Sequence, residues 1–191
     1  MSFMLCDPKP TDRINSYSLV SYIPGRLGEF ITRLRQELVA GCVAQSHVTV
    51  LPPRPLAIEA SIAEQRIRER VAGFAPFAVS IAQLKIFEQT SVVYAEIGRG
   101  GAELSSMHEM LNSGEFAFNE PFRYHPHITL AQNIEPANVQ SVYELACRRW
   151  DEHNTATSFL VETLTFVQNT EGNHWIDLVE CELRGEAAVP A

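Results

Sequence analysis

The chain has 191 residues, 46% of them hydrophobic and 20% charged, and carries a formal net charge of −8 at pH 7. This is globular composition, long enough for one substantial domain or two small lobes, and no apolar run approaches the roughly 20 residues of a membrane helix. Lys9 and Lys85 are the only lysines, and an acidic, lysine-poor surface argues against the broad phosphate track that a long nucleic acid requires.

The N-terminal stretch MSFMLCDPKP lacks a basic segment followed by an apolar core, so no secretory signal is expected. Cys6, Cys42, Cys147 and Cys181 are scattered without a CxxC pair. Free thiols in a reducing cytoplasm are the expectation, not a disulfide framework or a metal cluster.

In chain order, residues 16–23 (SYSLVSYI) read as a strand broken by Pro24-Gly25. Leu27, Phe30, Ile31, Leu34 and Leu38 recur at helical spacing and predict an amphipathic helix over 26–39. A short strand follows at 47–51, ended by Pro52-Pro53. Ile58, Ile62, Ile67 and Val71 mark a second helix, and 77–87 a strand leading through a turn at 88–90. The order then recurs, with a strand at 91–97, a helix at 102–112 and a strand at 127–131. Pro136 suits the first turn of a helix that places Val139, Val142, Tyr143, Ala146 and Trp150 on one face. A single strand is predicted over 158–167, a turn over 170–173 and a last strand over 174–183, with a frayed tail beyond.

Both halves thus run strand, helix, HxT strand, helix, strand. The predicted class is α+β, with two similar lobes related by a pseudo-two-fold axis. Each lobe is a small, mostly antiparallel sheet with outer helices, and the HxT strands face a central cleft. Residues 1–15 form an extension, 16–183 a single bilobal domain and 184–191 a tail.

The two motif strands read HVTV (47–50) and HITL (127–130). Residues i and i+2 of a strand share a face, so His47 and Thr49 project together while Val48 and Val50 anchor the strand. His127 and Thr129 do the same in front of Ile128 and Leu130. An imidazole titrates near neutral pH and serves as acid or base there. Two of them across a cleft can bracket a reacting centre, with threonine hydroxyls donating to non-bridging oxygens where charge must be held. The set needs no metal, and it suits an activated phosphodiester such as a 2′,3′-cyclic phosphate.

These two motifs, their separation and the duplicated element order make the sequence resemble the two-histidine phosphoesterase superfamily. That superfamily includes 2′-5′ RNA ligase-like proteins and cyclic nucleotide phosphodiesterases. PHITLAQ (126–132) is similar to its second motif, with Gln132 where a basic residue often stands, and HVTVLPPR (47–54) resembles the first. The resemblance implies His47 and His127 as the acid–base pair, Thr49 and Thr129 as phosphate ligands, Arg54 as a substitute phosphate contact, and catalysis without a cofactor.

Other residues have plainer structural readings. His153-Asn154-Thr155 also fits HxT, yet it follows a helix without apolar partners and reads as a loop. Pro126 stands between His125 and a shared face with His127. His108 and His174 read as structural or exposed, and no third ligand at metal spacing accompanies His125 and His127. Tyr17, Tyr22, Phe122 and Tyr124 offer base-stacking faces but read first as core.

The expected activity is metal-independent phosphodiester hydrolysis on a 2′,3′-cyclic phosphate or a 2′-5′ linkage of a nucleotide or short RNA end. The expectation includes a monomer, no membrane and no long nucleic acid. The alternatives are 2′-5′ ligation or RNA end processing, a non-catalytic nucleotide-binding module, and a structural protein with both motifs in its core.

Overall fold

The computed structural model describes residues 12–154 and 156–186. The chain forms β1 (Arg13–Tyr22), α1 (Gly25–Leu38), β2 (His47–Arg54), α2 (Ala60–Val71), β3 (Phe77–Phe87) and β4 (Val92–Ile97). It continues through α3 (Gly101–Leu111), β5 (His127–Ala131), α4 (Val139–Glu152), β6 (Ser158–Val161), β7 (Thr163–Thr170) and β8 (Trp175–Glu182). Most of the expected tail and extension (1–11 and 187–191) lies outside the described residues. Of the rest, Arg13 to Asn15 belong to β1, and the Gly185 amide is tied to the Phe74 carbonyl at 2.9 Å.

Two antiparallel four-stranded sheets, ordered β2-β1-β7-β8 and β5-β4-β3-β6, make the two lobes of this α+β fold. The lobes do not coincide with the sequence halves. β3 closes the first half but lies between β4 and β6, and β7 lies between β1 and β8. The continuous strand expected over 158–167 is therefore two strands in different sheets. Phe159 and Val161 are buried and Leu160 exposed, as on an edge, whereas Leu164 to Gln168 are all buried, as in a central strand. No Gly or Pro marks the crossing at Glu162, so the punctuation on which a sequence reading relies is missing.

Both HxT strands are sheet edges, and β2 and β5 touch where the sheets meet. Edge position also explains why β2 runs on through Pro52 and Pro53 to Arg54, since an edge strand tolerates a missing N–H. Two helices pack crosswise, α1 against β5 and α3 against β2, whereas α2 lies on β8 and α4 on β3.

Ser46 sets the entry to β2. Its buried hydroxyl donates to the Gly28 carbonyl (2.9 Å), its amide to Thr32 Oγ1 (3.0 Å), and its carbonyl accepts from the Ile23 amide (3.1 Å). The clamp requires a close approach of α1 to the end of β1: a Cβ at Gly28 would stand 1.8 Å from the Ile23 carbonyl oxygen. Gly→Ala within a helix ordinarily gains about 1 kcal/mol. Gly28→Ala is expected to reverse that sign and destabilise by about 2 kcal/mol through overpacking, as read by urea unfolding.

Candidate active site

Strand alternation sorts the motif residues as the sequence suggests. Val48 and Val50 are fully buried, as are Ile128 and Leu130, while His47, Thr49, His127 and Thr129 are half-buried on the opposite faces. The two imidazoles are held alike. His47 Nδ1 bonds the Gln45 carbonyl at 2.8 Å, and His127 Nδ1 bonds the His125 carbonyl at 2.7 Å. A carbonyl oxygen only accepts, so Nδ1 carries the proton and Nε2 of the neutral ring keeps its lone pair.

Aromatic rings wall both imidazoles. Tyr22 meets His47 edge-on, with centroids 6.4 Å apart, and its hydroxyl is fixed by Asp177 at 2.6 Å. Phe87 and Tyr94 stack on each other at 3.8 Å and approach His127 edge-on at 5.0 Å and 5.5 Å. Burial pushes His47 from the ordinary 6.5 down to about 4; the Arg35 cation and His127 add to the shift, and the Gln45 carbonyl opposes it. Burial also lowers His127, assisted by His125 and opposed by the His125 carbonyl. At neutral pH the free site therefore holds two neutral imidazoles close enough to influence each other.

The open edges of β2 and β5 carry carbonyls that need partners, and side chains from elsewhere in the chain supply them. Tyr124 donates its hydroxyl to the Thr49 carbonyl (2.8 Å), and His108 Nδ1 bonds the Val50 carbonyl (2.8 Å). The His108 ring stacks flat on Tyr124 at 3.9 Å. On β5, Arg35 Nη1 donates to the Thr129 carbonyl (2.5 Å). Among the described residues no group of three or more His, Cys, Asp or Glu is arranged to hold a metal ion, and no helix is long and apolar enough to cross a membrane.

The sequence model of the 2′-5′ RNA ligase superfamily matches residues 23–173, which contain both motif strands and their histidines and threonines. The chain belongs to the 2′-5′ RNA ligase superfamily. It is thus an enzyme of the two-histidine phosphoesterase type. A Geobacillus kaustophilus protein named "Putative phosphoesterase GK0864" is 27% identical over 136 residues, covering 66% of this chain and 75% of that protein. The fold is also that of Escherichia coli LigT, solved with 3′-AMP (TM-score 0.60, 17% identity, 88% of this chain and 98% of LigT). It is similar to Kluyveromyces marxianus Usb1 as well (TM-score 0.51, 16% identity, 88% of this chain and 99% of Usb1).

In this superfamily member Arg54 does not reach the cleft mouth. It is 2% exposed, and its guanidinium donates to Asn112 Oδ1 (2.6 Å), the Phe116 carbonyl (2.9 Å) and Glu120 (2.5 Å). Because β2 continues through the prolines, Arg54 ends a strand instead of riding a loop, and it staples the 112–120 segment to β2. Tyr17 is core, stacked on Phe166 at 5.4 Å, whereas Phe122 is 61% exposed. His125 is exposed and lends its carbonyl to His127. His153 stacks on Phe30 at 4.5 Å, in keeping with a structural role, and Thr155 lies outside the described residues. Arg35 escaped the sequence reading, although the signal was present: an arginine on the apolar face of α1, four residues after Ile31.

Two outcomes follow from these environments. Folded His47 titrates near 4 and an ordinary histidine near 6.5, so the stability tied to its neutral ring is complete above 6.5 and is lost as pH falls toward 4. His47→Gln should lose less stability than the wild type across that window in pH-dependent urea unfolding. Arg54→Met leaves Glu120 buried without its cation and should cost about 3 kcal/mol or more, measured the same way at neutral pH.

Proposed function

We propose that this phosphoesterase hydrolyses a 2′,3′-cyclic phosphate or a 2′-5′ phosphodiester at the end of a nucleotide or short RNA, using His47 and His127 as an acid–base pair without a metal. The observation that carries the reading is the matched anchoring of the two rings. Each imidazole gives Nδ1–H to the carbonyl two residues before it, which leaves Nε2 for proton transfer. In hydrolysis His47 Nε2 takes a proton from water as the water oxygen bonds to phosphorus. The bond from phosphorus to the ribose oxygen breaks, and protonated His127 delivers its Nε2 proton to that oxygen. Thr49 and Thr129 donate hydrogen bonds to the non-bridging oxygens, where charge accumulates.

The depressed pKa of His47, with Arg35 nearby, suits it to the role of base. The anionic phosphate favours the charged form of His127 and prepares it as the acid. LigT, whose fold this chain shares, has been solved with 3′-AMP, a nucleotide phosphorylated at the ribose edge that a cyclic phosphate spans. A net charge of −8 points to a short ligand held by few contacts.

The test is turnover in EDTA on 2′,3′-cyclic nucleotides and a 2′-5′-linked dinucleotide, with products identified by phosphorus NMR. Loss of a general acid or base should lower turnover at least ~100-fold in each of His47→Ala and His127→Ala. Undiminished turnover in either variant would overturn the assignment. The profile of kcat/KM against pH should be bell-shaped, with an acidic limb near 4 from His47 and an alkaline limb below 6.5 from the lowered His127. The limbs belong to the interacting pair, so either substitution should change both.

A further inference from the structure

Arginines in this chain that are withdrawn from solvent generally have carboxylate partners. Arg54 is paired with Glu120, and the half-buried Arg70 with Glu115. Arg35 differs. It is 4% exposed, it lies on the buried face of α1 with Leu27, Ile31 and Leu34, and no carboxylate among the described residues forms an ion pair with it. Its hydrogen bond goes to the neutral Thr129 carbonyl, and its buried Nε has no partner.

Withdrawing a charge from water is costly unless an opposite charge meets it, and α1 gains nothing from it: a methionine or leucine would complete the same apolar face. The location gives the cation a purpose. Arg35 is bonded to the backbone of the threonine in the second motif, and its charge acts on the histidine of the first. It therefore stands between the two motif strands, where a ligand spanning both would lie.

We infer that Arg35 is the built-in counter-charge of the site, whose missing partner is the anionic phosphate of the bound mono- or diester. The identity of the anion rests on the phosphoesterase reading above. Gln132 stands where the motif resemblance leads one to expect a basic residue, and Arg54 is committed to Glu120; Arg35 supplies the positive charge from α1, which packs against β5. Its second effect is positional, because the bond to the Thr129 carbonyl holds the open edge of β5 against α1. A phosphate that offsets this charge also relieves its pressure on His47, which couples ligand entry to protonation of that ring.

The experiment uses inorganic phosphate as the probe, titrated into the full chain, with calorimetry for affinity and nitrogen-15 NMR of the arginine side chains. The Arg35 Nε–H signal, assigned by its absence in Arg35→Lys, should move as phosphate saturates the wild type. Losing a charged hydrogen-bond partner should weaken phosphate binding ~10-fold or more in Arg35→Met, and Arg35→Lys should recover most of it.

An unmoved Nε–H signal, a folded Arg35→Met that binds phosphate like the wild type, or a wild type that does not bind phosphate each overturns the inference. Should Arg35→Met fail to fold, the wild-type NMR titration decides alone. Phosphate binding that depends on Arg35 without any turnover would remove the proposed reaction and leave Arg35 as the counter-charge. Histidine-dependent turnover with phosphate binding indifferent to Arg35 would do the reverse.

Discussion

Two edge strands can face each other across a fixed gap only if the sheets they border are locked together, and here helices packed across the join provide the lock, α1 on β5 and α3 on β2. β3 leaves the first half of the chain to sit beside β4, and β7 crosses back to sit beside β1. Separating the two sequence halves would strip a central strand from each sheet, whereas separating the sheets would undo the packing of α1 on β5 and of α3 on β2. The relative placement of β2 and β5 is thus fixed by these helix–strand contacts, by the contact between the two strands themselves, and by the bonds from Arg35 to the Thr129 carbonyl and from Tyr124 to the Thr49 carbonyl. Chemistry that relies on two groups from different sheets needs this rigidity, since reacting geometry is spoiled by misplacements of about 1 Å.

On that frame the open strand edges are put to use. An edge strand exposes carbonyls, and the carbonyls at Thr49, Val50 and Thr129 are capped by Tyr124, His108 and Arg35. Each cap ties a motif strand to a distant segment. The histidines use a more local version of the same device, each closing Nδ1 on the carbonyl two residues earlier. One geometric unit therefore occurs twice, once per lobe, and sets tautomer and ring direction together. Burial and the nearby Arg35 charge then hold His47 well below an ordinary histidine.

Much of this was legible in the sequence, because the fold is built from strong periodic signals. The bounds of β3 and β5 match the expectation residue for residue, and alternation placed Val48, Val50, Ile128 and Leu130 inward. Two misreadings have physical causes. The run 158–167 is rich in apolar and β-branched residues and has no Gly or Pro breaker, so nothing in it reports that the partner sheet changes at Glu162. Arg54 follows two prolines, which usually end a strand; an edge position allowed β2 to continue and carried Arg54 into the interior toward Glu120, a pairing across 66 positions that no local pattern encodes. Arg35 was visible as a charge on an apolar helix face, but its significance depends on where α1 packs.

In the proposed mechanism the two imidazoles act as one unit. The most direct test compares turnover of a 2′,3′-cyclic nucleotide by His47→Ala, His127→Ala and the double variant. Residues that serve a single coordinated step are strongly non-additive, so the double variant should be no more than a few-fold worse than the poorer single one. Losses that multiply in the double variant would show two independent contributions and contradict the account.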